Sequence, residues 1–125
     1  MTRLKTSDAA KLGITASKYS SRKVTLDGIT FDSQKEANRY AELKLLERAG
    51  EVVKLELQPE FILQEGYRTP AGNYVRPIKY RADFRVTYAD GRVVVIDTKG
   101  YRTKEYQLKK KLLLYRYPEI EFVEE

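Results

Sequence analysis

The chain alternates short apolar runs with polar turns, and its periodicity changes twice. Val24-Thr25-Leu26 and Ile29-Thr30-Phe31 flank Asp27-Gly28, a pairing that predicts a β-hairpin. Ser33-Gln34-Lys35-Glu36 has the form of a capping box. It predicts a helix to about Ala49 with Gly50 as its stop, and Tyr40, Leu43 and Leu46 as its apolar stripe. Residues 52–57 and 61–64 read as short strands broken at Gln58-Pro59, and the polar, turn-rich 66–73 as a mobile loop. Residues 79–88 alternate as one strand, with Ala82, Phe84, Val86 and Tyr88 on one face and Arg81, Asp83, Arg85 and Thr87 on the other. Asp90-Gly91 turns the chain into a strand over 92–99. Thr103 caps a second helix to about Tyr117, with Leu108, Leu112 and Tyr115 inward, and 120–123 is a last strand. Helix, three or four strands, helix, strand is a small mixed α/β fold.

One strand ends against expectation. Val93-Val94-Val95-Ile96 reads as buried on both faces, yet Asp97-Thr98-Lys99 follows directly. Side chains alternate along a strand, so Asp97 and Lys99 point the same way. Burying both charges costs several kcal/mol unless they are paired.

Composition narrows what they could hold. The 125 residues contain no Cys and no His, which excludes thiolate and imidazole nucleophiles, disulfides and His-ligated zinc. Catalysis on this chain would use carboxylates, lysine, tyrosine and an oxygen-liking metal such as magnesium or manganese. The net charge of +6 favours a polyanionic partner. Five of those charges fall in residues 1–23, where Arg3, Lys5, Lys11, Lys18, Arg22 and Lys23 face the single acid Asp8. This segment reads as a partly disordered basic arm, either simply solvated or laid on phosphates, ahead of one domain over 24–125. No stretch approaches the roughly 18 apolar residues of a membrane span, and no secretory segment stands near Met1, so a cytoplasmic location without a membrane partner is expected.

Glu36, at the head of its helical stripe, Asp83 and Asp97 are the acids that the core pattern does not invite. Carboxylates converging on one point repel unless they share a proton or bind a cation, and magnesium takes one or two carboxylates plus substrate phosphate. Hairpin register tests the pairing. A two-residue turn at Asp90-Gly91 would set Asp83 and Asp97 on opposite faces. A three-residue loop, Ala89-Asp90-Gly91 with Gly91 as a G1 bulge, sets them opposite each other on one face, about 5 Å apart at Cβ. The three-residue loop is expected.

These residues resemble the PD-(D/E)XK nuclease superfamily, and most closely a small phage and prophage family of endonucleases. The resemblance rests on Phe31-Asp32-Ser33, Glu36, Arg39-Tyr40, Gln58-Pro59, Tyr80-Arg81-Ala82-Asp83-Phe84 and Asp97-Thr98-Lys99-Gly100, and covers roughly residues 18–117. Ala82 stands where the motif has proline, and Asp97 is the shorter of the two acids the motif allows. The resemblance implies a restriction-endonuclease-like αβββαβ core, with a mixed sheet flanked by helices, and a metal-dependent DNA endonuclease. Asp83 and Asp97 would be metal ligands, Glu36 a further ligand or supporting carboxylate, and Lys99 the catalytic base or water-positioning lysine. Magnesium, with manganese able to substitute, would be the cofactor. Branched DNA such as a Holliday junction is an expected substrate, in phage DNA processing or recombination, and a homodimer would suit paired cuts. Gln58 is a candidate supporting residue. Lys18, Arg22, Lys23, Lys104, Lys109 and Lys110 are candidate nucleic-acid contacts, with Tyr101 and Tyr106 beside them.

Plainer readings stand beside these. Glu36 could serve only the helix cap, Asp97 and Lys99 an edge ion pair, Asp83 a solvated strand face, and Lys109-Lys110-Lys111 a solvated helix face. A non-catalytic nucleic-acid-binding module and an RNA nuclease are the rival functions.

Overall fold

The structure, a computed structural model, describes residues 22–98 and 103–125. The chain forms two compact units, Met1–Ala41 and Glu42–Glu125.

In the first unit, strands β1 (Val24–Leu26) and β2 (Ile29–Phe31) pair antiparallel, with Leu26 opposite Ile29. Asp27 and Gly28 both hold positive φ, 55° and 75°, which is the turn that a two-residue hairpin requires. Helix α1 (Gln34–Arg48) starts at Ser33, whose Oγ accepts the Glu36 amide at 3.1 Å. Tyr40 on α1 stacks on Phe31 at 5.0 Å between centroids and donates its hydroxyl to Asp27 Oδ2 at 3.0 Å. The helix stripe follows from spacing: Glu36, Ala37 and Tyr40 are its buried residues within this unit, and residues 42–48 of the helix belong to the second.

The second unit is a mixed α/β fold. Strands β3 (Val52–Leu57), β8 (Phe84–Tyr88), β9 (Val93–Asp97) and β10 (Glu121–Glu124) form one sheet in the order β10-β9-β8-β3. β10 is parallel to β9 and the other neighbours are antiparallel, so the sheet is mixed. Strands β4 (Glu60–Gln64) and β7 (Ile78–Arg81) form a separate antiparallel pair, and helix α2 (Lys104–Arg116) packs against it. The expectation of one continuous strand over 79–88 is corrected here. β3-β4 and β7-β8 are two halves of one long hairpin that keeps its register across the break, since Leu57 faces Phe84 and Glu60 faces Arg81, with shifts further out at Val52/Lys54 and Ile62/Gln64. The hairpin breaks where Pro59 has no N–H to give and Gln58 takes φ of 50°. Across the break the Gln58 amide donates to the Asp83 carbonyl at 2.9 Å and the Ala82 amide to the Pro59 carbonyl at 3.1 Å. Apolar residues continue at every second position through this bend, which is why the two strands read as one, but the facing changes: Tyr80 and Ala82 join the cluster with Val95, while Phe84 and Val86 lie opposite Ile96 and Val94.

Phe61, Leu63, Tyr80, Ala82, Val95 and Leu113 form a core cluster, with Tyr106, Leu112, Tyr117, Ile120 and Phe122 packed on it. Val94 and Ile96 point to the other face of β9 and are buried as well, as a central strand of apolar β-branched residues should be. The inward face expected for the second helix is corrected in part: Leu112 packs on the core as expected, but Leu108 and Tyr115 are exposed, while Tyr106, Leu113 and Tyr117 meet the core. Those three are spaced seven and four apart, a true helical stripe, and Tyr117 fixes it by donating its hydroxyl to the Ile62 carbonyl at 3.0 Å. The turn-rich 66–73 segment is also more ordered than expected. Short strands β5 (Tyr67–Arg68) and β6 (Tyr74–Val75) make it a hairpin.

A cross-strand pair braces β3 to β8. Arg85 donates from Nε and Nη2 to the two Glu56 carboxylate oxygens, both at 2.7 Å, and its guanidinium lies 5.1 Å from the Phe61 ring centroid. The Arg85 hydrogen bonds hold the Glu56 pKa below its usual value against a smaller opposing push from burial. A lowered carboxylate pKa contributes stability above the unfolded value, near 4.5, that is lost as pH falls through the folded value. Glu56→Gln should therefore melt below wild type at pH 7, and the two melting curves should converge on acidification below about pH 4. Parallel melting temperatures across pH 3–7 would refute this linkage.

Candidate functional site

The expected register at the β8-β9 turn is present. Thr87 faces Val93 and Phe84 faces Ile96. The Tyr88 amide donates to the Arg92 carbonyl at 2.9 Å, and the Tyr88 carbonyl accepts the Gly91 amide at 2.9 Å. The loop is thus Ala89-Asp90-Gly91, with Gly91 at φ 95°. Asp90 closes it by accepting the Arg92 amide at 3.0 Å. The ladder runs to Phe84 opposite Ile96, which leaves Asp83 at its end, beside Thr98 and the end of β9.

Both acids are buried, Asp83 at 6% exposure and Asp97 at 1%. Asp83 sits at the hairpin bend rather than inside a strand, and its amide donates to the Ile96 carbonyl at 3.0 Å. Its Oδ2 accepts two bonds from Thr98, from the amide at 2.6 Å and from Oγ1 at 2.8 Å. Asp97 Oδ2 accepts the Tyr80 hydroxyl in a short hydrogen bond. Burial first, then the hydrogen bond and negative charge of Asp97, push the Tyr80 phenol well above its usual range, with Asp83 adding to the effect. Tyr80 is therefore a donor at any working pH. One carboxylate oxygen of each acid is thus oriented by a protein donor, and Tyr80 feels both negative charges.

Asp97 and Tyr80 open onto a cleft of about 310 Å³, also lined by Arg81, Thr103, Glu105, Tyr106 and Lys109. The Tyr80 ring stands 6.2 Å from those of Tyr106 and Phe122. Tyr106 donates to Glu124 Oε2 at 2.5 Å, and Lys110 pairs with the same oxygen at 3.2 Å. Thr103 caps α2 by accepting the Tyr106 amide at 3.0 Å. Among the described residues no group of three or more acidic side chains comes together as a metal cage. The donor set fits the requirement of magnesium in another way. A pair of hard carboxylates suffices when waters and substrate phosphate complete the coordination.

Other expected site residues divide as follows. Lys99, Lys18 and Tyr101 lie outside the described residues. Gln58 does meet the site, through the backbone: its amide binds the Asp83 carbonyl, while its side-chain Oε1 accepts Arg81 Nη1 at 3.3 Å. The expected solvated face at Lys109-Lys110 is corrected. Both are half-buried and paired, Lys109 with Glu105 at 3.3 Å and Lys110 with Glu124 at 3.2 Å, and Lys110 lies 5.7 Å from the Phe122 ring centroid. Lys104 is exposed, as is Arg22, and Lys23 pairs on the surface with Asp32 at 3.1 Å. Tyr80 and Thr98 were not singled out from the sequence. A signal existed for each, because a buried tyrosine hydroxyl needs an acceptor and a threonine between two charges at a strand end has a hydroxyl to place.

Glu36 belongs to the first unit, where it is buried at 4% exposure in the first turn of α1. Its amide supplies half of a capping box. Glu36→Gln keeps a side chain able to cap while removing the charge. It should melt within about 1 kcal/mol of wild type, the scale of a cap interaction. If the resemblance assigns this residue correctly, cleavage should fall at least tenfold, the low end for a group supporting a metal. Undiminished cleavage would leave Glu36 a cap alone.

The sequence pattern of the family described as "Protein of unknown function (DUF1064)" matches residues 16–123, and the chain belongs to that family. No curated protein and no solved structure matches the chain.

Proposed function

We propose that this DUF1064 protein is a divalent-metal-dependent endonuclease that hydrolyses DNA phosphodiester bonds, with a restriction-endonuclease-like core. The observation that supports this reading most is the Asp83–Asp97 arrangement. A three-residue hairpin loop and a broken strand bring two buried carboxylates to adjoining chain ends, each held by a hydroxyl donor, beside a cleft that Arg81 and Lys109 also line.

In this reading Asp83 and Asp97 supply hard oxygen ligands, and Thr98 and Tyr80 fix their orientation. Magnesium, when bound, would act as a Lewis acid that draws off charge from the phosphate oxygens. Lys99, in the position the motif gives it, orients a water for in-line attack or takes its proton. The P–O bond to the leaving sugar oxygen breaks as the new P–O bond forms, and the departing oxygen takes up a proton. Arg81, held by Gln58, stands at the cleft to meet a neighbouring phosphate.

The test incubates the protein with linear, nicked, flapped and four-way-junction DNA and with single-stranded RNA, with and without magnesium, using Lys99→Ala as control. Magnesium-dependent cleavage of DNA that the control loses is expected. Binding without cleavage of any substrate would favour the non-catalytic binding module, and cleavage confined to RNA the ribonuclease. Light scattering on the same preparation tests for the homodimer that paired cuts would need.

A further inference from the structure

The hairpin of β5 and β6 takes no part in the site described above, yet it is built with some care. Tyr67 faces Val75 and Arg68 faces Tyr74. The tip is closed by the Gly72 amide on the Thr69 carbonyl at 2.8 Å, the Thr69 amide on the Asn73 carbonyl at 2.9 Å, and the Asn73 amide on Thr69 Oγ1 at 3.2 Å. Two-residue strands are marginal on their own, and here they carry their aromatic rings outward: Tyr67 is 49% exposed and Tyr74 56%. Tyr74 is nevertheless held in place. Its hydroxyl occupies the position that a Cβ on Gly66 would need, and the Arg68 guanidinium lies 5.6 Å from its ring centroid. Between Glu65 and Asp83 the chain carries Arg68, Arg76, Lys79 and Arg81 and no acid.

Exposed, pre-oriented aromatic rings beside the exposed Arg68 and Arg76 suit one kind of partner. Unpaired bases stack on tyrosine faces while arginines meet the phosphates between them. A protein partner would use the rings but would gain nothing from an acid-free stretch. The reach is right as well. Nine residues separate Tyr74 from Asp83, at most about 30 Å of chain, which is less than the roughly 34 Å of one duplex turn. We propose that the 67–75 hairpin is a DNA-contact arm that holds unpaired nucleotides next to the bond presented at Asp83 and Asp97. The choice of DNA rests on the nuclease reading; the single-stranded contact rests on the arm itself.

The experiment measures binding of the full chain, in EDTA, to a fluorescein-labelled fork with an unpaired thymidine arm and to a blunt duplex of equal length, with salt titrations from 50 to 200 mM. Tyr67→Ala/Tyr74→Ala should lose about tenfold or more in affinity for the fork and much less for the duplex. Arg68→Gln/Arg76→Gln should lower the slope of log affinity against log salt by about 1.4, the value for two single-strand phosphate contacts. Thermal melts of both variants establish that they fold. Fork binding and salt slope equal to wild type in both variants would overturn the arm. A wild type that binds the fork through the arm but cuts nothing in magnesium would keep the arm and sink the nuclease reading.

Discussion

Asp97→Asn is expected to abolish metal-dependent cleavage and the stabilisation that a bound cation gives. Asp97 is fully buried at the end of β9, next to Thr98, which bonds Asp83. Asparagine has the same shape and still accepts the Tyr80 hydroxyl through its carbonyl oxygen, so the hydrogen bond that organises this end of β9 survives. What is lost is a hard anionic ligand. A contribution of several kcal/mol to the transition state corresponds to a fall in cleavage of about 10³-fold or more. Thermal shift gives a readout independent of turnover. At manganese or magnesium concentrations ten times the dissociation constant, wild type should gain about 1.4 kcal/mol, or some 4–8 °C for a domain of this size. Asp97→Asn should show no such gain. A variant that still shifts with metal would refute Asp97 as a metal ligand.

Most of what positions Asp97 was legible in the sequence. The Val93-Val94-Val95-Ile96 run marks a central strand, because few other environments take four β-branched residues in a row, and Asp90-Gly91 fixes its register, because only glycine takes the left-handed position of the loop comfortably. Asp83 was legible as a partner but not as a bend. Residues 80, 82, 84 and 86 are all apolar and buried, so the period of two carries no trace of the break, although Ala82 faces the Val95 side of the sheet and Phe84 the Ile96 side. The trace lay instead on the opposite strand at Gln58-Pro59, and only pairing reveals that the two breaks face each other. The second helix was misread for a related reason. Leu108 and Tyr115 are apolar but exposed, while Lys109 and Lys110 are charged but half-buried, their ammonium groups on Glu105 and Glu124. Hydrophobicity alone cannot separate these, because a long side chain buries its stem and keeps its charge at the surface.

Tyr80→Phe should weaken metal binding by 10- to 100-fold, the range for a group that orients a metal ligand. Phenylalanine keeps the ring and its contacts with Tyr106 and Phe122, and removes only the donor to Asp97. Tyr80 touches no reacting atom in the proposed mechanism and is a positioning residue, so the loss should appear in the manganese titration and be largely recovered by raising the metal concentration. A residue needed only for packing would leave the metal titration unmoved. Stability carries a second signature. The Tyr80 pKa is raised by burial and by Asp97, so the hydroxyl contributes fully below its unfolded value near 10, and the contribution is lost as pH rises through the folded value. Wild type should therefore exceed Tyr80→Phe in stability by about 1–3 kcal/mol, the cost of leaving a buried acceptor without its donor, and by a constant amount from pH 6 to 9. The gap should narrow only above about pH 10, where the unfolded chain begins to release the phenol proton. A gap that opened with rising pH would mean that Tyr80 ionises in the folded protein, and the hydrogen bond to Asp97 would then be assigned the wrong way round.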